Sequence, residues 1–253
     1  MTYFGFHAVF ILPFIGVLAY LVLAGPRRAW PRPFLGLALL VGVAVVYTTP
    51  WDNYLVARGV WGYDPSGVVQ EWTLGVVPLE EYVFFVLQPI MTWLSVLYFG
   101  AHQLVAETYG SVPRVRTWRA RVVGMGVALG MAALGVFALL VDMRGLYFGL
   151  ILTWAAPVIG FHWFYGGDYL WTQRRWLGRA ILLPTIYLWV VDRIALEWGI
   201  WHISPEYSTG WHLLGLPVEE AFFFLVTNFF VAQGLLLYFD YLEKRRALGV
   251  RQP

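Results

Sequence analysis

The sequence predicts an all-α integral membrane protein with about seven transmembrane helices, on three observations. Hydrophobic residues make up 60% of the 253 and charged residues only 13%, whereas a soluble domain carries about 25% charged residues. The chain therefore lacks the polar surface to cover a globule in water. Its apolar residues fall in blocks of about 20, the length that crosses a hydrocarbon core of roughly 30 Å. Finally, two sets of three such blocks carry the same short motifs in the same order. Backbone groups in lipid must be satisfied internally, so each block should be a helix.

In chain order the spans are expected at about 3–24, 34–55, 79–103, 121–141, 145–166, 178–198 and 217–240. Only Asp142, Met143 and Arg144 separate the fourth from the fifth. Orientation follows from basic residues in the connections, which favour the cytoplasmic side. One side holds Arg27, Arg28, Arg32, Arg114, Arg116, Arg119, Arg121, Arg174, Arg175, Arg179, Lys244, Arg245, Arg246 and Arg251; the other holds Arg58, Arg144 and Arg193. Fourteen against three places the N-terminus outside and the tail in the cytoplasm of a cell-membrane protein. The first span is long enough to stay as an anchor, so a cleavable signal peptide is not expected. The net charge of +2 merely averages this asymmetry, and no nucleic-acid partner is expected. The chain has no cysteine, which excludes disulfides, thiolate metal sites and thiol nucleophiles.

The repeat is the most informative feature. Tyr3-Phe4-Gly5 and Pro13-Phe14-Ile15-Gly16 recur as Tyr147-Phe148-Gly149 and Pro157-Val158-Ile159-Gly160. Arg27-Arg28 with Trp30 echoes Arg174-Arg175 with Trp176. Asp52, Gly59, Trp61 and Pro65 return as Asp192, Gly199, Trp201 and Pro205. Pro78-Leu79-Glu80-Glu81 with Phe84-Phe85 returns as Pro217-Val218-Glu219-Glu220 with Phe223-Phe224. Three helices and one connector restore the starting orientation, so the repeat is parallel, about an axis along the membrane normal. The expected units are residues 1–106, a linker helix within 107–144, and residues 145–253 with the cytoplasmic tail.

The acids follow this symmetry. Asp52 and Asp192 stand near the outer ends of the second and sixth helices, and Glu80, Glu81, Glu219 and Glu220 open the third and seventh. Proline with glutamates in the first turn is also an ordinary helix start. Ionisable groups at membrane depth, however, usually face a bundle interior and serve a function, and here each motif carries a second glutamate and runs into Phe-rich helix. If the halves face one another, these acids divide between protonated donors and ionised acceptors, the split that acid–base chemistry uses. Adjacent glutamates on a helix point about 100° apart, so one of each pair should face the cavity; symmetry favours Glu80 and Glu219. Arg193, whose counterpart is Asn53, is expected either to neutralise a carboxylate in its half or to snorkel outwards. Phe84, Phe85, Phe223 and Phe224 lie one turn further in, where aromatic faces could stabilise a cation; lipid-facing packing is the plainer alternative. Most other aromatics suit an interfacial belt. His202, Glu206 and His212 share an outer loop, but their spacing matches no ligand motif and no metal is expected.

Some classes drop out. A retinal protein needs an intramembrane lysine, and the only lysine is Lys244 in the tail. A membrane prenyltransferase needs Asp-Asp pairs for magnesium diphosphate, and there are none. No Gly-rich nucleotide loop is present. A channel or transporter stays open.

Pro-x-Glu-Glu at Pro78–Glu81 and Pro217–Glu220, with Thr49-Pro50-Trp51-Asp52-Asn53 and Val191-Asp192-Arg193 upstream, resembles the carotenoid-type lycopene β-cyclase domain. The resemblance is to the fused form of that family and covers essentially the whole chain. It implies a proton-initiated, non-redox closure of linear carotenoid end groups to β-ionone rings, giving γ- or β-carotene. Glu80 and Glu219 would be proton donor and acceptor, supported by Glu81, Glu220, Asp52 and Asp192. Phe84, Phe85, Phe223, Phe224, Asn53 and Arg193 would bind the substrate. No cofactor is chemically required; the implied partners are a lipophilic carotenoid, lycopene, and membrane lipid, with the oligomeric state left open. A carotenoid 1,2-hydratase, in which water captures the same cation, is the nearest alternative, and a non-enzymatic carotenoid binder or transporter the next.

Overall fold

The computed structural model describes residues 1–26, 32–69, 71–107 and 118–247. Arg27, Arg28, Trp30, Arg114, Arg116 and Arg251, used above for orientation or the repeat, lie outside the described residues. Six helices among the described residues are long and apolar enough to cross a membrane. They are α1 (Tyr3–Ala24), α2 (Pro33–Arg58), α3 (Leu79–Glu107), α4 (Trp118–Val141), α5 (Leu146–Glu197) and α6 (Val218–Ala247). The turn between α4 and α5 is as short as the sequence suggests: the Asp142 side chain accepts from the Arg144 amide (3.2 Å) and starts a single 3-10 turn, Met143–Gly145.

The expected connection at 167–177 is corrected by the structure, because the helix runs through it as part of α5. Only Gly166 leaves helical geometry (φ −144°, ψ 26°). The segment contains no proline, and it buries Leu170 and Leu177, seven residues apart, while Arg174 and Arg175 stay exposed. An amphipathic helix can therefore continue where the apolar run ends. Yet Tyr147 near the start of α5 and Asp192 near its end line the same chamber. A straight helix would separate them by about 65–70 Å, so α5 folds back at Gly166 into two arms, 146–165 and 167–197.

α4 packs on α5 through small residues. Ala120, Gly124 and Ala128 are buried at four-residue intervals, with Gly135 further along. A Cβ on Gly124 would lie 2.2 Å from the Trp163 ring, and one on Gly135 2.9 Å from the Gly149 carbonyl oxygen. Close backbone approach of this kind is how helices gain contact in lipid, where no hydrophobic drive acts between them. Deeper in the bundle, Asn228 on α6 accepts from Gln88 and Thr92 on α3 and donates to Thr185 on α5 (3.0 Å). This fully buried set ties three helices together.

The chain is predominantly helical, as expected, and short strands join its helices. Gly59 (φ 74°) and Gly199 (φ 68°) end α2 and the second arm of α5 in the left-handed conformation that glycine adopts without strain. The next amides, Val60 and Ile200, bond back to Leu55 and Ala195. The chain then extends into β1 (Trp61–Tyr63) and β4 (Trp201–Ile203), which pair antiparallel with Gly62 opposite His202. Two small hairpins, β2 (Thr73–Leu74) with β3 (Val77–Pro78) and β5 (His212–Leu213) with β6 (Leu216–Pro217), lead directly into α3 and α6. Strands of two or three residues are too short to leave a period in the sequence.

Candidate active site

Side chains alternate across a strand, so the β1–β4 ribbon presents Trp61, Tyr63, Trp201 and Ile203 to one face and His202 to the other. The first four roof a small chamber, about 50 Å³, at one end of the bundle; His202 is exposed. The chamber walls carry Asp52 from α2, Glu81 from α3, Asp192 from α5 and Glu220 from α6. Among its described lining residues there is no lysine, arginine or histidine. Phe84, Phe85, Phe223 and Phe224 form its floor, with the Phe84 and Phe224 rings meeting edge-on at 6.1 Å. The structure thus brings together four of the six expected acids and all four expected phenylalanines. Those rings face the chamber rather than lipid.

The tyrosine bonds to the two inward glutamates fall on corresponding residues of the two halves. Tyr3 donates its hydroxyl to Glu81 Oε2 (2.7 Å), and Tyr147 donates to Glu220 Oε1 (2.5 Å). Trp201 Nε1 donates to Asp192 Oδ1 (2.9 Å). The halves then differ at two positions: Trp61, the counterpart of Trp201, donates to the Tyr63 hydroxyl (3.1 Å) instead of an aspartate, and Tyr63, whose counterpart is Ile203, also donates to Glu81 Oε2 (3.1 Å). Burial pushes the Tyr63 phenol well above its usual value, and the charge of Glu81 adds to that, so Tyr63 remains a hydroxyl donor. One oxygen each of Asp52 and Asp192 is buried with no hydrogen-bond partner among the described residues. Those atoms are available to a guest or a proton.

Glu80 and Glu219, favoured on symmetry, turn away from the chamber; this geometry is a correction of that preference. Both are fully buried. Glu80 Oε1 accepts from the Val69 amide (2.8 Å), and Glu219 Oε1 accepts from the Thr209 amide and hydroxyl (both 2.7 Å). They hold the loops before their helices. The reason is rotational: neighbours on a helix diverge by about 100°, and α3 and α6 are turned so that the second glutamate of each pair faces inward.

Asn53 and Arg193 do not line the chamber either, which corrects their expected substrate-binding place. Asn53 Oδ1 accepts from the Val76 amide (2.9 Å) while its Nδ2 donates to Thr49 O and Tyr82 Oη (both 3.0 Å). Arg193 is exposed and bonds Glu197 (2.9 Å) and the Leu214 carbonyl (2.6 Å). Each residue latches the turn of the neighbouring hairpin, whose Gly75 (φ 72°) or Gly215 (φ 87°) lies against it. The length and charge of Arg193 thus do the job of Asn53 at longer reach, and no chamber carboxylate is neutralised by it. Arg193→Ala should leave the chamber's activity within about twofold and cost no more than about 1 kcal/mol, because its ion pair is exposed; product yield together with thermal unfolding of the purified variant checks this.

Five chamber residues are absent from the expected site: Tyr3, Tyr147, Trp61 and Trp201, which the sequence marks only as repeat or belt positions, and Tyr63, which it does not single out. A signal for four of them was present, since Tyr3 and Tyr147, and Trp61 and Trp201, recur between the halves. The repeat reports position without saying which side chains converge.

Comparison with known proteins now adds to this geometry. The lycopene cyclase family model matches residues 2–99 and 145–233. A lycopene β-cyclase from Halobacterium salinarum (strain R1) is 44% identical over 207 residues, covering 80% of this chain and 81% of that protein. A bifunctional lycopene cyclase/phytoene synthase from Aspergillus oryzae is 33% identical over 239 residues, which is 93% of this chain but 39% of the longer fungal protein. One from Podospora anserina is 35% identical over 214 residues, 83% of this chain and 36% of that protein. No solved structure matches the chain.

Proposed function

The chain belongs to the lycopene cyclase family, and from that premise we propose that its acidic chamber closes the end groups of lycopene into β-ionone rings. The observation that carries this reading is one apolar, cation-free chamber holding Glu81, Glu220, Asp52 and Asp192 above four phenylalanines. Four carboxyl groups with no lining cation can carry a transferable proton. A carboxyl gives that proton to the terminal double bond of the substrate, leaving a tertiary cation. The electron pair of the next double bond attacks the cation and closes the six-membered ring. A carboxylate then takes a ring proton, and the product has the same formula as the substrate.

Among the described residues Glu81 faces two hydroxyl donors, Tyr3 and Tyr63, whereas Glu220 faces one, Tyr147. That difference suits Glu81 to receive a proton and Glu220 to give one. Asp52 and Asp192, each with an unpartnered oxygen, support the transfer. The phenylalanine floor offers aromatic faces to the cation and keeps out the water that would otherwise capture it.

The protein is embedded in a membrane by its apolar helices. In our reading these make seven crossings, because each arm of α5 is long enough for one. The units are then two parallel three-helix repeats, residues 1–106 and 145–253, joined through a linker helix in 107–144. The recurring Tyr–Glu bonds and left-handed glycines support this arrangement. The basic-residue asymmetry supports a reading in which the N-terminus and the chamber lie toward the outer face of the cell membrane and the tail in the cytoplasm.

Expression in a bacterial host that accumulates lycopene tests the activity, with the pigments separated by chromatography. Appearance of γ- or β-carotene is expected, and their ratio reports whether one or both ends close. A hydroxylated carotenoid would identify a hydratase instead. Unchanged lycopene, with the chain verified in the membrane, would remove the enzyme reading.

A further inference from the structure

We propose that carotenoid end groups reach the acidic chamber through one lateral portal between α2 and the first arm of α5, created by Val158 standing where the first half of the chain has Phe14. The inference rests on the cyclase reading and deepens it. A second cavity, about 160 Å³, lies beside the chamber. Its wall is formed by Leu40, Val43 and Tyr47 on α2 and by Trp154, Val158 and His162 on α5. It shares Thr48, Phe84, Phe85 and Phe223 with the chamber, so the two spaces adjoin through the phenylalanine floor. Its outer edge faces what would be lipid, since Val43 is 61% exposed within an apolar span.

The corresponding place on the other half is built on the same frame. Tyr47 donates its hydroxyl to the Trp154 carbonyl (2.8 Å), and Tyr187, its counterpart, donates to the Phe10 carbonyl (2.7 Å). There, however, Phe14 lies flat on Tyr187, with ring centroids 3.8 Å apart and planes within 4°. Phe14 matches Val158 in the repeat, and the smaller valine leaves the space that the phenyl ring fills opposite. Apolar cavities of about 150 Å³ stay dry and hold one benzene-sized ring. Portal and chamber together therefore suit one end group of an apolar polyene at a time, with the rest of the molecule trailing into lipid. A substrate cyclised at both ends must withdraw and present its second end in a separate visit.

The test uses the full chain in lycopene-loaded membranes, with two readouts: lycopene retained per purified chain, and rings formed. Val158→Phe fills the portal, and Val43→Trp blocks its mouth from an exposed position that does not burden folding. Each should lower both readouts by about tenfold, the factor expected for forcing a large ring into an occupied space. Phe14→Val, which opens the equivalent space on the far side, should lower neither readout. In wild-type time courses the free monocyclic carotenoid should precede any bicyclic one. Wild-type lycopene retention and ring formation in Val43→Trp would overturn the portal, as would bicyclic product formed without free monocyclic carotenoid. A wild-type chain that binds lycopene but makes no ring would sink the cyclase reading alone, and the retention readout would still decide the portal. A chain that neither binds nor cyclises lycopene overturns both.

Discussion

Glu81→Gln and Glu220→Gln should each lower ring formation by about 100- to 10,000-fold, the range for losing a positioned general acid or base. Glutamine keeps an oxygen able to accept from Tyr3 or Tyr147, so each variant should still reach the membrane and unfold near the wild-type temperature. It has no acidic proton to give and no carboxylate to receive one. The readout is cyclised carotenoid per chain in the membrane. Full activity in both variants would remove these two residues from the mechanism. A larger loss in Glu220→Gln than in Glu81→Gln would fit the assignment of the donor to the half with a single phenol.

The neighbouring glutamates should behave in the opposite way. Glu80→Ala and Glu219→Ala each strip a loop amide, Val69 or Thr209, of its buried acceptor, and losing a hydrogen bond of this kind costs about 0.5–1.5 kcal/mol. A lowered thermal unfolding midpoint in detergent and less chain in the membrane are expected. Glu80→Gln and Glu219→Gln retain an accepting oxygen and should keep both stability and most of the ring-forming rate. Should these glutamines abolish ring closure in stable protein, the loop-holding role would give way to a chemical one. Testing all four glutamates side by side separates structure from chemistry within one short motif.

The duplicated acidic motif, the upstream aspartates and the paired phenylalanines were all readable before any coordinates, because they recur between the halves and charged groups at membrane depth are rare. The orientation of each glutamate was not. A helix start shows that two acids sit on its first turn, but rotation about the helix axis depends on what packs beside it. Here Tyr3 on α1 and Tyr147 on α5 meet the second glutamate of each pair. Arg193 misled for a related reason. Its charge suggests a partner among the chamber acids, whereas its neighbourhood offers the Leu214 carbonyl and the Glu197 carboxylate on the protein's exterior.

Composition and block length by themselves determined that this chain belongs in a membrane as helices, since too little polar surface and runs of about 20 apolar residues leave no other satisfied backbone. The internal repeat further determined which residues would occupy corresponding places. Only the tertiary structure decided the fold-back of α5 at Gly166, the ribbon that roofs the chamber, the inward turn of Glu81 and Glu220, and the space beside Val158. These depend on contacts between segments tens to more than a hundred residues apart, such as Tyr3 with Glu81 and Tyr47 with Trp154. Local periodicity carries no record of contacts at that range.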